Sequence, residues 1–260
     1  ALEVDRETLG DQHLSTLASI NNLGTLLYAK GDLAAAVPLF RETVEARRET
    51  LGDGHPSTLI SINNLGTLLQ AKGDFAAAEA LYLEALEVSR ETLGNRHPNT
   101  LASINNLGVL LKVKGDFAAA EPLYSEVLEL SRETLGSQHP NTLASMNNLG
   151  VLLKAKGDTA AAELLYREAL EVSRKALGSR HPDTLSSIIN LGRLLKDKGD
   201  LAGAEPLYRE ALEMRRETLG NRHPSTLKSI TNLGNLLKAK GDLFEAEPLL
   251  REALEGELAP

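Results

Sequence analysis

The 260-residue sequence contains no cysteine and no tryptophan, and aromatic residues make up only 3% of it. The absence of cysteine excludes a disulfide scaffold, a thiolate metal site and a cysteine nucleophile. It also fits a reducing compartment, so we expect a cytoplasmic protein. With only four Phe and five Tyr, a large core has to be built from small and aliphatic side chains at close helix spacing.

Positive charge is also scarce, because 28 Lys and Arg are outnumbered by 36 Asp and Glu, which gives a net charge of −8. Phosphate backbones and anionic membranes repel such a molecule, so we expect neither nucleic acid nor a membrane among its partners. No apolar run approaches the roughly 20 residues that a membrane-spanning helix requires.

What the sequence does contain is a repeat with a fixed period of 42 residues, marked by Gly-x-x-His-Pro-x-Thr-Leu. Two successive copies, residues 53–94 and 95–136, are identical at 31 of 42 positions. Of the 21 glycines, 18 fall into three columns of the repeat. Self-similarity at such a period is the signature of a solenoid or another repeat architecture.

Each repeat is predicted to form two helices. In residues 56–72, which we call helix A, apolar side chains recur at spacings of three and four: Leu59, Ile62, Leu65, Leu68 and Leu69. Pro56 suits the first helical turn, and Gly73 can adopt the left-handed conformation that ends a helix. Asp74 then caps helix B, which we expect to run from Phe75 to about Leu93, with Gly94 as its stop.

Two features inside these helices need a structural reason. Gly66 lies within helix A, where glycine costs about 1 kcal/mol relative to alanine. We expect it to allow close approach of a neighbouring helix, with Ala78 of helix B as the small partner residue. Four prolines lie five residues into helix B, where we expect a bend or a delayed helix start: Pro38, Pro122, Pro206 and Pro248.

The spaced positions resemble the helix-turn-helix signature of tetratricopeptide repeats. They are Asn64-Leu65-Gly66, Gly73-Asp74-Phe75, Ala78, Tyr82, Ala85 and Leu86. The 42-residue period and the His-Pro-x-Thr-Leu entry into helix A are most similar to the kinesin light chain and nephrocystin type. This resemblance implies an all-α protein, an α-solenoid of about six stacked helix-turn-helix repeats that forms a superhelix with a concave groove lined by helix A.

The predicted organisation is a single solenoid domain. Residues 1–10 are the tail of a preceding helix B, and the six repeats are residues 11–52, 53–94, 95–136, 137–178, 179–220 and 221–260.

Pairs of asparagines are the first polar feature of helix A. An amide offers both donors and an acceptor, so a row of amides can hold an extended peptide backbone. The candidate contacts are Asn21, Asn63, Asn64, Asn105, Asn106, Asn147 and Asn148. One Asn of each pair has an alternative role in holding neighbouring repeats in register. We expect the first Asn of the pair, which varies in the last two repeats, to be the better ligand contact.

Charge is the second feature. The six helix A segments carry twelve Lys or Arg and two acids, a net charge of +10, so the rest of the chain carries −18. The lysines that end each helix A have an alternative explanation in the helix dipole. The variable cations remain as a candidate site for an acidic peptide: Lys112, Lys154, Arg193, Lys196, Lys228 and Lys238.

No catalytic or metal site is predicted. Stacked helices lie about 8–10 Å apart, too far for histidines of successive repeats to share a metal ion, so we assign the His55 column to the turn before helix A. We expect no cofactor and no enzymatic activity, because neither a phosphate-binding loop nor a catalytic constellation occurs.

The leading hypothesis is therefore a protein-interaction module that binds extended, acidic peptide segments in the groove. The kinesin light chain resemblance implies an aromatic anchor in such motifs. Two alternatives remain: a structural module that assembles head to tail through its uncapped ends, and an RNA-binding helical array, which the acidic charge disfavours.

Overall fold

The computed structural model describes residues 2–258 of the chain, and this part forms thirteen α-helices and no strand. The helices are α1 (Leu2–Leu9), α2 (Leu14–Ala29), α3 (Leu33–Leu51), α4 (Pro56–Ala71), α5 (Phe75–Leu93), α6 (Pro98–Lys114), α7 (Phe117–Leu135), α8 (Pro140–Lys156), α9 (Thr159–Leu177), α10 (Pro182–Asp197), α11 (Leu201–Leu219), α12 (Pro224–Lys240) and α13 (Leu243–Leu258). The even-numbered helices, α2 to α12, are the A helices. The odd-numbered helices from α3 to α13 are the B helices.

The chain divides into two compact units, Ala1–Leu130 and Ser131–Pro260. In the first unit, each helix from α1 to α5 packs on the next, and the A helices α4 and α6 also touch. In the second unit, α8 to α13 pack in the same order, and α8 contacts α10. This sequential packing within each unit confirms the predicted all-α fold class of a helix-turn-helix solenoid. None of the helices in residues 2–258 is both long and apolar enough to span a bilayer.

Local chemistry sets the helix boundaries. Pro56 occupies the first turn of α4, and the imidazole Nδ1 of His55 accepts a hydrogen bond from the Ser57 N–H at 3.1 Å. The same bond occurs before every A helix from α2 to α12. The histidine is therefore the N-cap of helix A, since it satisfies an N–H group that has no partner within the helix.

The glycine inside helix A makes room for an aromatic ring. A Cβ added to Gly66 would lie 2.6 Å from Cε1 of Tyr82, and one on Gly150 would lie 2.5 Å from Cε1 of Tyr166. The predicted close approach is confirmed, and the nearest group to Gly66 is the Tyr82 ring rather than Ala78. In the last repeat the backbone oxygen of Ala246, which occupies the column of Ala78, lies 3.6 Å from a Cβ placed on Gly234. The ring from helix B of the same repeat lies across the glycine, because a planar ring buries more apolar surface there than a methyl group.

Of the two expectations for proline in helix B, the delayed start is wrong and the bend stays a prediction. Helices with an internal proline begin at Leu33, Phe117, Leu201 and Leu243, the same repeat position as Phe75 and Thr159 in the two helices without one. All four prolines are exposed to solvent. The carbonyl that loses its N–H partner at each proline therefore faces water, and the Asp cap still fixes where the helix begins.

Arginine and glutamate side chains join successive B helices. Arg90 donates two hydrogen bonds of 2.7 Å to the Glu126 carboxylate, and Arg132 bonds Glu168 at 2.7 Å. The remaining pairs of the same column are Arg6–Glu42, Arg48–Glu84, Arg174–Glu210 and Arg216–Glu252. Because these side chains are partly exposed, each pair contributes only about 0–1 kcal/mol.

Candidate binding surface on the A helices

In two repeats the first asparagine of the pair, Asn63 or Asn147, is hydrogen-bonded to the next A helix. The amide of Asn63, only 7% exposed, donates to the Leu59 carbonyl at 3.1 Å and to Ser103 Oγ at 2.9 Å. Its Oδ1 accepts a hydrogen bond of 3.1 Å from the Asn106 amide. Asn63 thus ties α4 to α6.

The second unit repeats this arrangement. Asn147 donates to the Leu143 carbonyl and to Ser187 Oγ, both at 3.1 Å, and accepts from Asn190 at 3.1 Å. These bonds support the structural alternative for the first Asn of the pair. The second Asn of the following repeat, Asn106 or Asn190, donates one hydrogen bond to this contact.

The other predicted asparagines also belong to A helices. Asn21 is half-buried, and its Oδ1 has no hydrogen-bond partner within the described residues. Asn64 lines a cavity between α2 and α4. Asn105 and Asn148 are half-buried, and neither lacks a partner. Ligand binding by all these amides stays a prediction.

Lysines that end helix A form ion pairs with the preceding helix B. Lys114 Nζ lies 2.5 Å from the Glu79 carboxylate, and Lys198 and Lys240 bond Glu163 and Glu205 in the same way. The ammonium of Lys198 and the guanidinium of Arg167 lower the pKa of Glu163 through hydrogen bonds. These lysines therefore hold repeats together in addition to facing the helix dipole.

The predicted ligand-binding cations differ in whether an acid neutralises them. Half-buried Lys154 forms an ion pair with Asp197 of the next A helix. Lys112 and Lys196 are half-buried and Lys238 is exposed. Arg193 and Lys228 are exposed on α10 and α12. No acid pairs with any of these five in the part of the chain that the structure describes.

A cavity of about 270 Å³ opens between the first two A helices, with an aromatic floor from α3. It is lined by Thr25, Tyr28, Phe40, Asn64, Thr67 and Leu68. Sequence reasoning missed this site, apart from Asn64. The available signal was Tyr28, which is the one aromatic residue in a column that continues with Gln70 and four lysines.

A cavity of about 170 Å³ lies between α10 and α12. Its lining is Ser186, Ile189, Asn190, Arg193, Arg215, Lys228 and Asn232. The structure thus brings together Arg193 and Lys228, two of the candidate cations, and adds Arg215, which sequence reasoning missed. The signal was the doublet Arg215-Arg216, because three earlier repeats have Ser-Arg there. A larger cavity of about 320 Å³ is lined mainly by B-helix residues such as Arg209 and Leu212, away from the A-helix surface.

Comparisons with known proteins agree with this fold. The tetratricopeptide repeat model matches residues 1–49, 18–91, 57–112, 101–175, 165–217 and 183–256. No curated protein matches the chain.

Among solved structures, the chain is similar to a putative kinesin light chain from Podosopora anserina with nearly identical TPR-like repeats. The identity is 30% over 78% of this chain and 96% of that one, with a TM-score of 0.69. BtubC (BKLC) from P. vanneervenii is 25% identical over 87% of this chain and 89% of the other, with a TM-score of 0.72. The apo form of RapI, 12% identical with a TM-score of 0.65 over 93% of this chain and 97% of that one, shares the fold. The chain belongs to the tetratricopeptide repeat family, and its similarity extends to kinesin light chain-like members.

Proposed function

We propose that this protein is an interaction module whose A helices bind extended, acidic segments of a partner protein. Tetratricopeptide repeat proteins generally serve as non-enzymatic scaffolds for protein interactions. The observation that carries the proposal is the set of unneutralised cations on the A helices of the second unit. Arg193, Lys196, Lys228 and Lys238 have no acidic partner within residues 2–258, whereas the cations that end helix A and those of the B-helix column are largely paired.

Binding of acidic and basic peptides distinguishes this proposal from a structural role. We expect acidic peptides to bind more tightly at low ionic strength and to lose affinity as salt is added, because exposed charges are screened. The double variant Arg193→Glu with Lys228→Glu should reverse the preference. Arg41 and Arg222 are exposed and lie outside the A helices, so Arg41→Glu with Arg222→Glu is a control of equal charge. Equal binding of acidic and basic peptides to the unaltered protein would exclude the proposal.

The aromatic anchor implied by the kinesin light chain resemblance has a candidate place in the cavity above Phe40. Its mixture of an apolar floor and hydroxyl and amide groups suits an aromatic side chain. Thr25→Trp should fill this space and abolish the advantage of an acidic peptide with one Trp over the same peptide with Ala. The fluorescence-detected affinity of the two peptides measures this difference, and an advantage that survives Thr25→Trp places the anchor elsewhere.

Head-to-tail association of two copies is a second candidate, favoured by the terminal hairpins. Leu23 and Leu26 of α2 are 36% and 51% exposed, whereas their equivalents Leu65 and Leu68 are 3% and 1% exposed. At the other end, Leu254 of α13 is 57% exposed, whereas its equivalent Leu212 is 5% exposed. These are the two halves of the contact that joins successive repeats.

Charge supports the same pairing. Lys30 has no acidic partner among the described residues, and Glu247 occupies the column in which Glu79 bonds Lys114. A second copy would therefore place Glu247 opposite Lys30. In the stacked form, α13 of the second copy occupies the position of a helix B that precedes α2. In the single chain, α1 fills the last part of that position. Stacking therefore requires α1 to move aside.

Two complementary variants test the stacking. Leu26→Glu and Leu254→Glu each leave one end intact, so each alone should stay monomeric in sedimentation experiments. Their mixture should form dimers and nothing larger, because one functional contact remains. A protein that is monomeric throughout the micromolar range, or a mixture that does not associate, rules out this candidate.

A further inference from the structure

The cavity between α10 and α12 gathers three cations from three helices. Arg193 comes from α10, Arg215 from α11 and Lys228 from α12, and none of the described residues that line the cavity is acidic. Arg193 and Lys228 have neither a hydrogen bond nor an ion pair in the described chain. The described residues that line the cavity therefore carry three positive charges and no negative one.

Arg215 is the most enclosed of the three. Its Nη1 donates to the Ser225 carbonyl and to Ser229 Oγ, both at 2.8 Å. Both acceptors are neutral, so they orient the guanidinium without cancelling its charge. Burial lowers the pKa of Arg215, yet arginine keeps its proton at every physiological pH. A fixed, partly desolvated guanidinium with further N–H donors is a strong binding group for oxyanions.

The fold does not require these cations. One repeat earlier, the three positions are occupied by Val151, Ser173 and Ser186, and α8 contacts α10 there as part of the same stack. The three positive side chains are thus a local addition to an otherwise closely repeated surface. Ion pairing does not explain them either, because no acid accompanies them in the lining.

We propose that this cavity binds a phosphoryl group, carried by a phosphorylated serine or threonine of the partner segment. The inference rests on the proposed binding of acidic segments to the A helices and names the group that the cavity selects. A phosphoryl group carries a charge of about −1.5 to −2 and three acceptor oxygens, whereas a carboxylate carries one charge and two oxygens. Two guanidinium groups and an ammonium match the dianion better than the carboxylate. Phosphorylation of the partner would then strengthen its binding.

Three peptides of one acidic sequence test this selectivity, with Ser, Glu or phosphoserine at a single position. We expect the phosphoserine peptide to bind at least about tenfold more tightly than the Glu peptide, because the phosphoryl group can form additional charge-assisted hydrogen bonds. Calorimetry at fixed ionic strength measures the two affinities. The position of the phosphoserine is varied along the peptide so that the register is not assumed. Inorganic phosphate alone should compete only at far higher concentration, because it lacks the peptide contacts.

Substitutions taken from the chain's own repeats locate the effect. Arg215→Ser, Lys228→Ser and Arg193→Val install the residues of the preceding repeat, so each is compatible with the fold. Each should lower the affinity for the phosphoserine peptide towards that for the Glu peptide. Arg47 occupies the column of Arg215 in the first unit and makes the same bonds, to the Ser57 carbonyl and Ser61 Oγ. Arg47→Ser is therefore the matched control and should leave the selectivity unchanged, and thermal melting checks that every variant is folded.

The outcomes separate the two proposals. If the Ser and Glu peptides bind but phosphoserine gives no further gain, the phosphoryl inference is overturned and the acidic-segment proposal stands. If no peptide binds, both fail. If the protein does not bind the phosphoserine peptide but binds vesicles that contain a phosphoinositide, the cavity recognises a lipid headgroup and the inference is wrong.

Discussion

At the scale of single residues, the fit between a glycine and a ring decides how each hairpin closes. Gly66, Gly150 and Gly192 each lie beneath a tyrosine from helix B at distances that leave no room for a methyl group, whereas Gly108 sits farther from its ring. The space available at this glycine therefore differs from one repeat to another. The sequence does not show this difference, because the residue is glycine in every repeat.

Alanine substitution in this column should have opposite effects at two positions. In Gly150→Ala the new Cβ meets Tyr166 at 2.5 Å, so overpacking should lower the free energy of unfolding by about 1–3 kcal/mol. In Gly108→Ala the nearest ring atom is 3.4 Å from the new Cβ. The higher helix propensity of alanine should therefore raise the free energy of unfolding by up to about 1 kcal/mol. Urea denaturation followed by circular dichroism measures both, and equal effects would contradict the packing argument.

The buried tyrosines predict a loss of stability in alkali. Burial raises the pKa of Tyr124 to about 12 and that of Tyr166 to about 12, whereas an unfolded chain releases these protons near pH 10. Between about pH 10 and 12 the unfolded state binds fewer protons than the folded state, so the free energy of unfolding falls as the pH rises. Denaturation at several pH values tests the sign, and Tyr166→Phe should make the slope smaller. A flat profile over that interval contradicts the prediction.

At the scale of elements, helix boundaries follow from residues within a few positions of each end. Histidine and proline begin the A helix, glycine and aspartate separate it from the B helix, and glycine ends the hairpin. These signals are local, so the sequence alone predicted α4 and α5 to within one residue. The prolines in helix B misled the prediction because their cost depends on whether the freed carbonyl meets water, which only the packed structure shows.

The N-cap histidine should be replaceable by another capping residue but not by alanine. His139 Nδ1 accepts the Asn141 N–H at 3.1 Å. His139→Ala should cost about 0.5–2 kcal/mol, whereas His139→Asn should retain most of the stability, because an asparagine oxygen can accept the same bond. Amide hydrogen exchange at Asn141 together with the denaturation midpoint reports the cap, and equal midpoints for the two variants would show that the bond is not needed.

At the scale of the whole molecule, residues about 36 to 43 positions apart hold one repeat to the next. Within each unit, arginine–glutamate pairs join the B helices, and the asparagine network joins α4 to α6 and α8 to α10. In such an array the stability is close to a sum of repeat terms and nearest-neighbour terms. A change at a repeat junction should therefore loosen the coupling between repeats as well as lower the total stability.

Asn147→Thr tests that coupling, and Thr231 shows that the column accepts threonine. The substitution removes the bonds to Ser187 and Asn190, which should cost about 1–3 kcal/mol and broaden the unfolding transition. Asn22 is exposed, so Asn22→Thr is the control and should change stability by less than about 0.5 kcal/mol. A transition as sharp as that of the unaltered protein would show that Asn147 does not couple the repeats.

The sequence by itself determined the repeat, its two helices, their ends and the excess of positive charge on the A helices. All of these depend on neighbours in the chain or on counting residues within a periodic frame. Only the tertiary structure decided that Asn63 faces Ser103, that Lys154 is neutralised by Asp197, and that Arg215 joins Arg193 and Lys228 around one cavity. Those facts depend on which side chains meet across a junction between repeats, and a repeated sequence offers nearly the same residues at every junction.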